Sequence, residues 1–409
     1  MPAKKKSKIK FTTTLARDAA FCAIFIYLVL KVIQFIPINS GWFQPVGSAF
    51  KDFDWSDIYF SKIKNLKKSD AQNPDIVIIN LNKSSREEIA LTLTNLDKAN
   101  AKVIGLDVLF QGAKDSASDA LLDHAIKHFD KKIVVACYAD STLGNNIYSL
   151  QPLYLPKLVD EDNLGYVNFI GEENSTIRTF YKVQDFRKKK MVSFAFNTFI
   201  KFKGDFNAYK DELVRDESII AYQSLPEHFT TLDYREILDT AIDLRFFNDK
   251  IVLLGFAGFT DGFAVIDDKH FTPLNENYAG KALPDMFGVY IHANIIASYI
   301  DEYKIYSPPV ILHSLLCIVF LTLFLMLYLY SEFREHVWQN VVELSLQLLF
   351  AFVIIILAIY FLSSHGIKWD IGEMIAAIAL AEPLVGVYRV IIYFLAKVYR
   401  FNSIFLNED

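Results

Sequence analysis

The chain has 409 residues, a formal net charge of −5 at pH 7 and 53% hydrophobic residues. A weakly negative charge without a basic face excludes nucleic acid as an expected partner. The hydrophobic excess comes from long apolar runs, which indicate a membrane protein. Of the three cysteines, Cys22 and Cys317 lie in these runs and only Cys137 lies between them. No intramolecular disulfide can therefore brace the region between the runs.

Four apolar runs are long enough to cross a bilayer as helices, since a span needs about 20 mostly apolar residues. They are residues 19–36, 309–330, 341–362 and 371–395. The first run is longer than the apolar part of a usual signal peptide and lacks a following cleavage pattern of small residues, so we interpret it as a retained anchor. The loops between the last three runs are short, so neighbouring helices must be antiparallel. We expect four transmembrane helices and one large domain, residues 37–308.

Basic residues near the ends of the runs predict the orientation. Residues 1–18 carry five lysines and Arg17, which places them in the cytoplasm by the positive-inside rule. The large domain then lies outside the membrane. The tail, residues 396–409, returns to the cytoplasm.

The region between the first two spans alternates strand-like and helix-like patterns. Strands are predicted at residues 75–81, 103–110, 132–138 and 251–255, and helices at 84–98, 117–129 and 289–300. The strands are apolar on both faces and joined by helices, which indicates βαβ units and a parallel sheet. Two further strands near residues 166–170 and 177–184 are predicted to form a hairpin. The expected fold is an α/β domain with a mixed, largely parallel sheet and flanking helices.

Short motifs spread over this region resemble those of the second type of CHASE extracellular sensor domain (CHASE-two). They are the IxLxxSS element at 79–85, IGLDVLF at 104–110, GYVNF at 165–169, IR at 177–178, KIVLLG at 250–255, Asp261, TPL at 272–274 and GVYIHANII at 288–296. Their order, their spacing and their position between one N-terminal and three C-terminal spans carry the resemblance. The chain departs from the family pattern at Asn82, where an acidic residue is usual, and at residues 174–176, where Asp and Gly are usual.

The resemblance implies an extracytoplasmic sensor of a bacterium, with its large domain in the periplasm and its multi-pass anchor in the inner membrane. Such domains are normally fused, after three spans, to a nucleotide cyclase, a kinase or another output domain. Residues 396–409 are too few for a catalytic core, so we expect a stand-alone sensor. It would relay a signal to a separate protein in the membrane, cytoplasm or envelope, without a cofactor. The alternative is a structural or assembly subunit of an envelope complex, and a homo-oligomer fits either function.

The motifs of common enzymes do not occur. The run 255–258 (GFAG) follows a predicted strand but lacks the lysine of a P-loop and the third glycine of a dinucleotide-binding loop. The sequence contains no HExxH metal motif and no serine in a nucleophile elbow. The sequence therefore predicts a protein without catalytic activity.

Asp107 is a candidate ligand-binding residue because it ends an otherwise apolar predicted strand. Open α/β sheets bind ligands at the carboxyl ends of their strands. The alternative is that Asp107 caps the next loop or pairs with a buried base.

Asp261 and His292 complete the candidate ligand site. Asp261 follows a predicted strand and turn, and Asp268 and His270 come soon after, so carboxylates and an imidazole could converge on a polar ligand. Their spacing fits neither a calcium loop nor a zinc motif, so no metal site is predicted, and solvated loop charges are the simpler interpretation. His292 lies on the last predicted helix of the domain, where a histidine bonded to a neighbouring strand is the alternative to a ligand contact.

Ionisable residues in the predicted spans form a second candidate site. Glu382 lies midway along the last span beside Pro383, and Arg389 follows seven residues later on nearly the same helix face. Glu343 lies in the third span, four residues before Gln347. Charged groups at membrane depth are costly, so they should face protein or water. They could transmit a conformational change or bind an ion, or they could simply hold helices together.

Overall fold

The computed structural model describes residues 2–35, 54–64, 66, 72–140, 149–150, 160–169, 176–186, 189–214, 216–239, 242–258, 268–275, 283–332, 338–399 and 401–406. The chain divides into two compact units. The outer domain is Ala49–Ile305, and the helical unit combines Met1–Ser48 with Tyr306–Asp409.

The α-helices are α1 (Pro2–Phe35), α2 (Trp55–Ile58), α3 (Arg86–Lys98), α4 (Ser116–Phe129), α5 (Phe194–Lys203), α6 (Tyr234–Leu238), α7 (Gly288–Ile300), α8 (Val310–Glu332), α9 (Gln339–His365), α10 (Gly372–Ala379) and α11 (Ala381–Val398). The strands are β1 (Ile76–Asn80), β2 (Val103–Leu106), β3 (Ile133–Cys137), β4 (Ala139–Asp140), β5 (Ser149–Leu150), β6 (Leu164–Tyr166), β7 (Thr179–Tyr181), β8 (Val183–Phe186), β9 (Lys189–Val192), β10 (Glu217–Ile219), β11 (Thr230–Asp233), β12 (Ile251–Gly255), β13 (Lys269–His270) and β14 (Met286–Phe287). A π-helix, Tyr59–Ile63, continues α2.

The outer domain is built on a six-stranded sheet in the order β11-β1-β12-β2-β3-β6. Every neighbouring pair in it is parallel. Strands β1, β3 and β12 are buried at each residue, as expected for strands that helices cover on both faces. Four short antiparallel pairs, β4–β5, β7–β10, β8–β9 and β13–β14, surround the sheet. The predicted α/β fold with a largely parallel sheet is confirmed.

Helices cover both faces of this sheet. Helices α3, α4 and α6 share one hydrophobic core with alternate residues of the central strands. Val77 of β1 and Leu93 of α3 are two of its members. Helices α5 and α7 lie on the opposite face. The amphipathic pattern of α3 follows directly from this burial, because Ile89, Leu93 and Leu96 recur at helical spacing and are all buried.

The predicted hairpin near residues 166–170 and 177–184 is wrong. Strand β6 instead joins the main sheet parallel to β3, and β7 pairs with β10. The reason is burial: all three residues of β6 are buried although it is the last strand of the sheet, because the start of α5 packs on Gly165.

Gly165 in β6 permits a close approach of α5, and we expect Gly165→Ala to destabilise the outer domain by about 2–3 kcal/mol. A Cβ there would lie 2.5 Å from Cα and 2.9 Å from N of Phe194, and backbone atoms cannot move aside cheaply. Gly105→Ala is the matched comparison, since its Cβ would meet side-chain atoms instead of backbone, 2.7 Å from Leu253 Cδ2 and 2.8 Å from Phe194 Cζ, and should cost less. Urea unfolding of the full-length protein measures both. Equal losses for the two variants would contradict the prediction.

The helical unit contains helices of membrane length. Within the part of the chain that the structure describes, α8 and α9 are each long and apolar enough to cross a membrane. Helices α10 and α11 meet the same test as a pair, with a 62° bend between them. The predicted span at residues 19–36 overlaps α1, which is not among these helices. Four transmembrane helices therefore remain a prediction.

The last predicted span, residues 371–395, is bent rather than straight. Helix α10 ends at Ala379 and α11 begins at Ala381. Pro383 has no N–H to donate to the carbonyl of Ala379 one turn earlier, which is a usual cause of such a break.

Contacts inside the helical unit connect α1 to other helices and to the tail. Midway along α1, directly before the predicted span, the carboxylate of Asp18 accepts hydrogen bonds from Ser403 Oγ and from the backbone N–H of Ile404, both at 2.8 Å. Towards the other end, Tyr27 Oη lies 2.6 Å from Oγ of Ser314 in the first turns of α8. The contact between Asp18 and the tail is consistent with the predicted orientation, in which residues 1–18 and the tail lie on one side of the membrane.

Candidate functional site

The carboxyl ends of β1, β12 and β2 lie side by side at one edge of the parallel sheet. Asn80 ends β1 and is buried. Its Nδ2 donates to the Gly258 carbonyl at 2.7 Å, and its Oδ1 accepts from the N–H groups of Ala257 (3.0 Å) and Asn82 (3.1 Å). One amide side chain thus fixes the turn that follows β12.

Asp107 follows β2 directly at this edge. Its backbone N–H donates to the Leu254 carbonyl at 2.8 Å. Next to it, a Cβ on Gly255 would lie 3.3 Å from Asp107 Cβ and 3.1 Å from Cγ2 of Val289, so the glycine leaves room between the sheet and α7. The carboxyl of Asp107 makes no hydrogen bond to another of the described residues. Burial raises the pKa of Asp107 to about 7, and the carboxylate of Asp268 raises it further.

His292 lies on α7, one helical turn beyond Val289, and is 4% exposed. Its ring stacks on Phe169 at a centroid distance of 5.1 Å and meets the edge of Phe194 at 5.1 Å. Burial lowers the pKa of His292 to about 3, the neighbouring His270 lowers it further, and a hydrogen bond to the Val167 backbone opposes the shift. The imidazole is therefore neutral, and its Nδ1 is buried without a partner in the described part of the chain.

Phe169 connects His292 to a second imidazole, that of His270 on β13. The two rings of Phe169 and His270 meet edge to face at 5.7 Å. Burial lowers the pKa of His270, and the exposed Asp268 opposes this shift. Asp107, Asp268, His270 and His292 therefore form one electrostatically connected group at the carboxyl edge. Sequence reasoning did not select Phe169 as a site residue, although it ends the GYVNF motif.

Asp261, the third predicted ligand-binding residue, lies outside the described residues. Among the residues that are described, no three His, Cys, Asp or Glu side chains are arranged to hold a metal ion.

A buried ion pair holds the loop that follows Asp107. Arg86, in the first turn of α3, pairs with Asp119 of α4, and both residues are buried. Arg86 Nη2 also donates to the Gly112 carbonyl at 2.7 Å. Sequence reasoning did not single out Arg86, because its partner becomes apparent only once α3 and α4 pack together.

A second polar cluster joins the segments with which the outer domain begins and ends. Arg178 donates two hydrogen bonds to Asp57 of α2, from Nε at 2.9 Å and from Nη2 at 2.6 Å. Tyr59 hydrogen-bonds to Tyr303 near the end of the domain. Lys64 Nζ lies 5.0 Å from the ring centroid of the same Tyr303. Burial lowers the pKa of Lys64 to about 8.

The candidate residues of the helical unit lie around Tyr328 of α8, which interacts electrostatically with Glu343, Glu382 and Arg389. Arg389 Nη2 donates to Glu332 Oε1 at 2.7 Å, which joins α11 to α8. Glu343 is buried and accepts a hydrogen bond from Gln339 at 2.9 Å. Glu382, expected to face protein or water, is exposed on the surface of this unit in the first turn of α11.

Polar groups at the carboxyl edge of a parallel sheet, in a chain with helices of membrane length, are typical of a ligand-binding domain held at a membrane. Residues 52–328 match the family model of the CHASE2 domain, which is more than half of the chain. The chain therefore belongs to the CHASE2 domain family, as the motifs indicated. CHASE2 is an extracellular sensor domain and not a catalytic one. No curated protein and no solved structure matches the chain.

Proposed function

We propose that this protein is a non-catalytic sensor of a bacterial inner membrane that binds a small polar ligand in the periplasm and relays the signal to a separate protein. The ligand site is the carboxyl edge of the sheet, with Asp107 and His292 as contact residues and Asp261 as a third. The supporting observation is the carboxyl of Asp107, which lies at this edge without a hydrogen-bond partner among the described residues.

The chemistry of the edge suits a polar ligand. A carboxyl that titrates near pH 7 can donate or accept a hydrogen bond, and the neutral His292 can do the same. Buried polar groups usually have partners, so groups left without one at a sheet edge are candidates for contacts that a ligand completes. Two hydrogen bonds fix the loops at this edge. Arg86 donates to the Gly112 carbonyl in the loop after β2, and Asn80 donates to the Gly258 carbonyl in the turn after β12.

The chain offers a short route from the outer domain to the helices. Ile305, the last residue of the outer domain, forms a β-bridge with Ile219 of β10. The next residue, Tyr306, bridges to Ile367 in the helical unit. Its N–H donates to the Gly366 carbonyl at 2.8 Å, and its carbonyl accepts from Lys368 at 2.9 Å. The two bridges are formed by consecutive residues of the chain, Ile305 and Tyr306.

The test is a pulldown of the tagged full-length protein from its native host in mild detergent, quantified by mass spectrometry. We compare the unchanged chain with the variant Asp107→Asn plus His292→Gln. For a sensor, we expect a specific signalling partner whose recovered amount changes about fivefold or more in the variant, the range of typical allosteric coupling. Asp243→Asn, an exposed carboxylate of the same domain, is the matched control and should change nothing.

A different result would favour the structural or assembly subunit. In that case the pulldown would recover a fixed set of envelope proteins in constant ratio, unchanged by substitution at the carboxyl edge. Glu382→Gln distinguishes a partner held within the membrane, because this exposed residue of α11 could contact another chain.

A further inference from the structure

The tail that follows α11 packs back onto the helical unit. Residues 401–406, which we call the strap, end in a short 3₁₀-helix, Ile404–Leu406. Ser403, Ile404 and Phe405 in the strap are all buried. Chain ends are usually poorly ordered unless specific contacts tie them down. Three consecutive buried side chains in so short a segment therefore indicate a defined binding surface beneath the strap.

A buried carboxylate on α1 is the polar anchor of the strap. Asp18 Oδ2 accepts hydrogen bonds from Ser403 Oγ and from the Ile404 N–H, both at 2.8 Å. Its other oxygen, Oδ1, pairs with Arg17 at 2.7 Å, and Arg17 in turn donates to the Asn402 carbonyl. The first N–H groups of a helical turn need acceptors from outside the turn. Asp18 supplies one across the two segments.

An aromatic contact on α11 is the apolar anchor. The ring of Phe405 meets the ring of Tyr388 edge to face at 5.4 Å, and Arg389 Cζ lies 5.9 Å from the Phe405 centroid. Tyr388 also packs on Phe25 of α1 at 5.3 Å. The strap thus covers one continuous surface made by α1 and α11. It also touches Arg389, the residue that joins α11 to α8 through Glu332.

These contacts suit a segment that can be exchanged for another. The strap follows α11 directly, and a tethered segment binds at an effective concentration in the mM range, so it can dock with a weak intrinsic affinity. A separate protein that binds the same surface more tightly would replace it. Release of the strap would leave the buried carboxylate of Asp18 with Arg17 as its remaining partner, which is unfavourable. The replacing segment must therefore supply hydrogen-bond donors of its own.

We propose that the strap covers a docking surface on α1 and α11 for a segment of the cytoplasmic partner, which binds once the strap is released. The surface defines the chemistry of that segment. It carries a hydroxyl and a free backbone N–H at the start of a helical turn, for Asp18, and an aromatic side chain two residues after the hydroxyl, for Tyr388. This inference rests on the relay to a separate protein proposed above, and it adds the place where that protein binds.

A fluorescent peptide of residues 400–409 tests the surface without the partner. It is titrated against the full-length protein in lipid nanodiscs, and binding is followed by anisotropy. Phe405→Ala removes the aromatic anchor of the strap and should free the surface, so the peptide should bind this variant about tenfold more tightly than the unchanged protein. Adding Asp18→Ala should remove most of that gain. Phe401→Ala is the matched control, because Phe401 is an exposed residue of the same strap and should change nothing.

The same proteins, incubated with cytosolic extract of the native host, test the partner. Phe405→Ala should raise the recovered amount of the signalling partner about fivefold. A second variant, Asp18→Cys plus Ser403→Cys, closes the strap onto α1 on oxidation, since the side chains at these positions are in contact and the three native cysteines are buried. Partner recovery should fall when this variant is oxidised and return when it is reduced.

The outcomes separate the strap from the sensor function. Equal peptide binding to the unchanged protein and to Phe405→Ala, or binding to neither, would overturn the strap. Peptide binding as expected, with a partner whose recovered amount ignores both strap variants, would overturn the docking surface. In either case a partner that still responds to Asp107→Asn plus His292→Gln would leave the sensor function standing.

Discussion

Asp107→Asn should stabilise the outer domain at pH 8 by about 2–4 kcal/mol and leave its stability near pH 4 almost unchanged. The pKa of Asp107 is raised to about 7 in the folded domain, whereas an unfolded aspartate titrates near 4. Between these values the folded state binds the proton more tightly than the unfolded chain does. Stability therefore falls as the pH rises from about 4 to about 7, and the loss is complete above pH 7. Asparagine cannot ionise and escapes this loss.

Urea unfolding of the full-length protein measures this effect at several pH values, followed by the fluorescence of Trp55 after Trp42, Trp338 and Trp369 are replaced by phenylalanine. Asp115→Asn is the matched control with the opposite sign. The pKa of Asp115 is lowered by hydrogen bonds from Ser118, so its carboxylate stabilises the fold above pH 4 and its loss should weaken the domain slightly. A loss of stability for Asp107→Asn at pH 8 would mean that a cation already pairs with the carboxylate in the folded domain.

The expected gain in stability bears on function. A side chain that lowers stability at neutral pH and has no partner in the described protein is typical of a binding site, where local stability is given up for recognition. A ligand that donates hydrogen bonds to Asp107, or carries a positive charge, would restore the lost stability. The stability gained by Asp107→Asn therefore measures the free energy that a ligand can recover by pairing with the carboxylate.

The central strands could be predicted from sequence because their composition permits only one environment. The runs predicted at 75–81, 132–138 and 251–255 are apolar on both faces, and the structure places β1, β3 and β12 there. Such runs are unsuited to an exposed edge, so an internal parallel position follows from burial alone.

The edges and the order of the sheet could not be predicted in the same way. Strand β11 has the sequence TTLD and is only partly buried, so it resembles a loop. Strand β12 lies between β1 and β2, although it follows β2 by more than a hundred residues in the chain. Pairing over such a distance depends on how whole elements pack, and local patterns do not record it.

The candidate site was predictable only in part, for a related reason. Asp107 could be placed at the carboxyl edge because the end of a strand fixes where the next residue lies. The group of His292, His270 and Phe169 depends on how α7, β13 and the end of β6 pack together, which no spacing in the sequence reveals. Glu332 as the partner of Arg389 was missed likewise, because the two residues lie on different helices.

Arg178→Met should destabilise the outer domain by about 3–5 kcal/mol, because it leaves the buried carboxylate of Asp57 without its partner. Asp57 and Arg178 side chains are 3% and 11% exposed, and the pair is bidentate. Urea unfolding followed by the fluorescence of Trp55, two residues before Asp57 in α2, reports the loss where it occurs once the other three tryptophans are replaced by phenylalanine. Arg245→Met is the matched control, since its pair with Asp243 is exposed to solvent and should contribute little.

The double variant Asp57→Leu plus Arg178→Met separates the strength of the pair from its purpose. Replacing a buried ion pair by apolar residues is often neutral, so this variant should recover most of the stability that Arg178→Met loses. If the pair serves stability alone, the double variant should also behave like the unchanged protein in the pulldown. The double variant is then combined with Asp107→Asn plus His292→Gln. If the protein is stable but the recovered amount of the partner no longer changes, the pair takes part in signal relay. In that case the relay would run through the contact between Asp57 of α2 and Arg178, both in the outer domain.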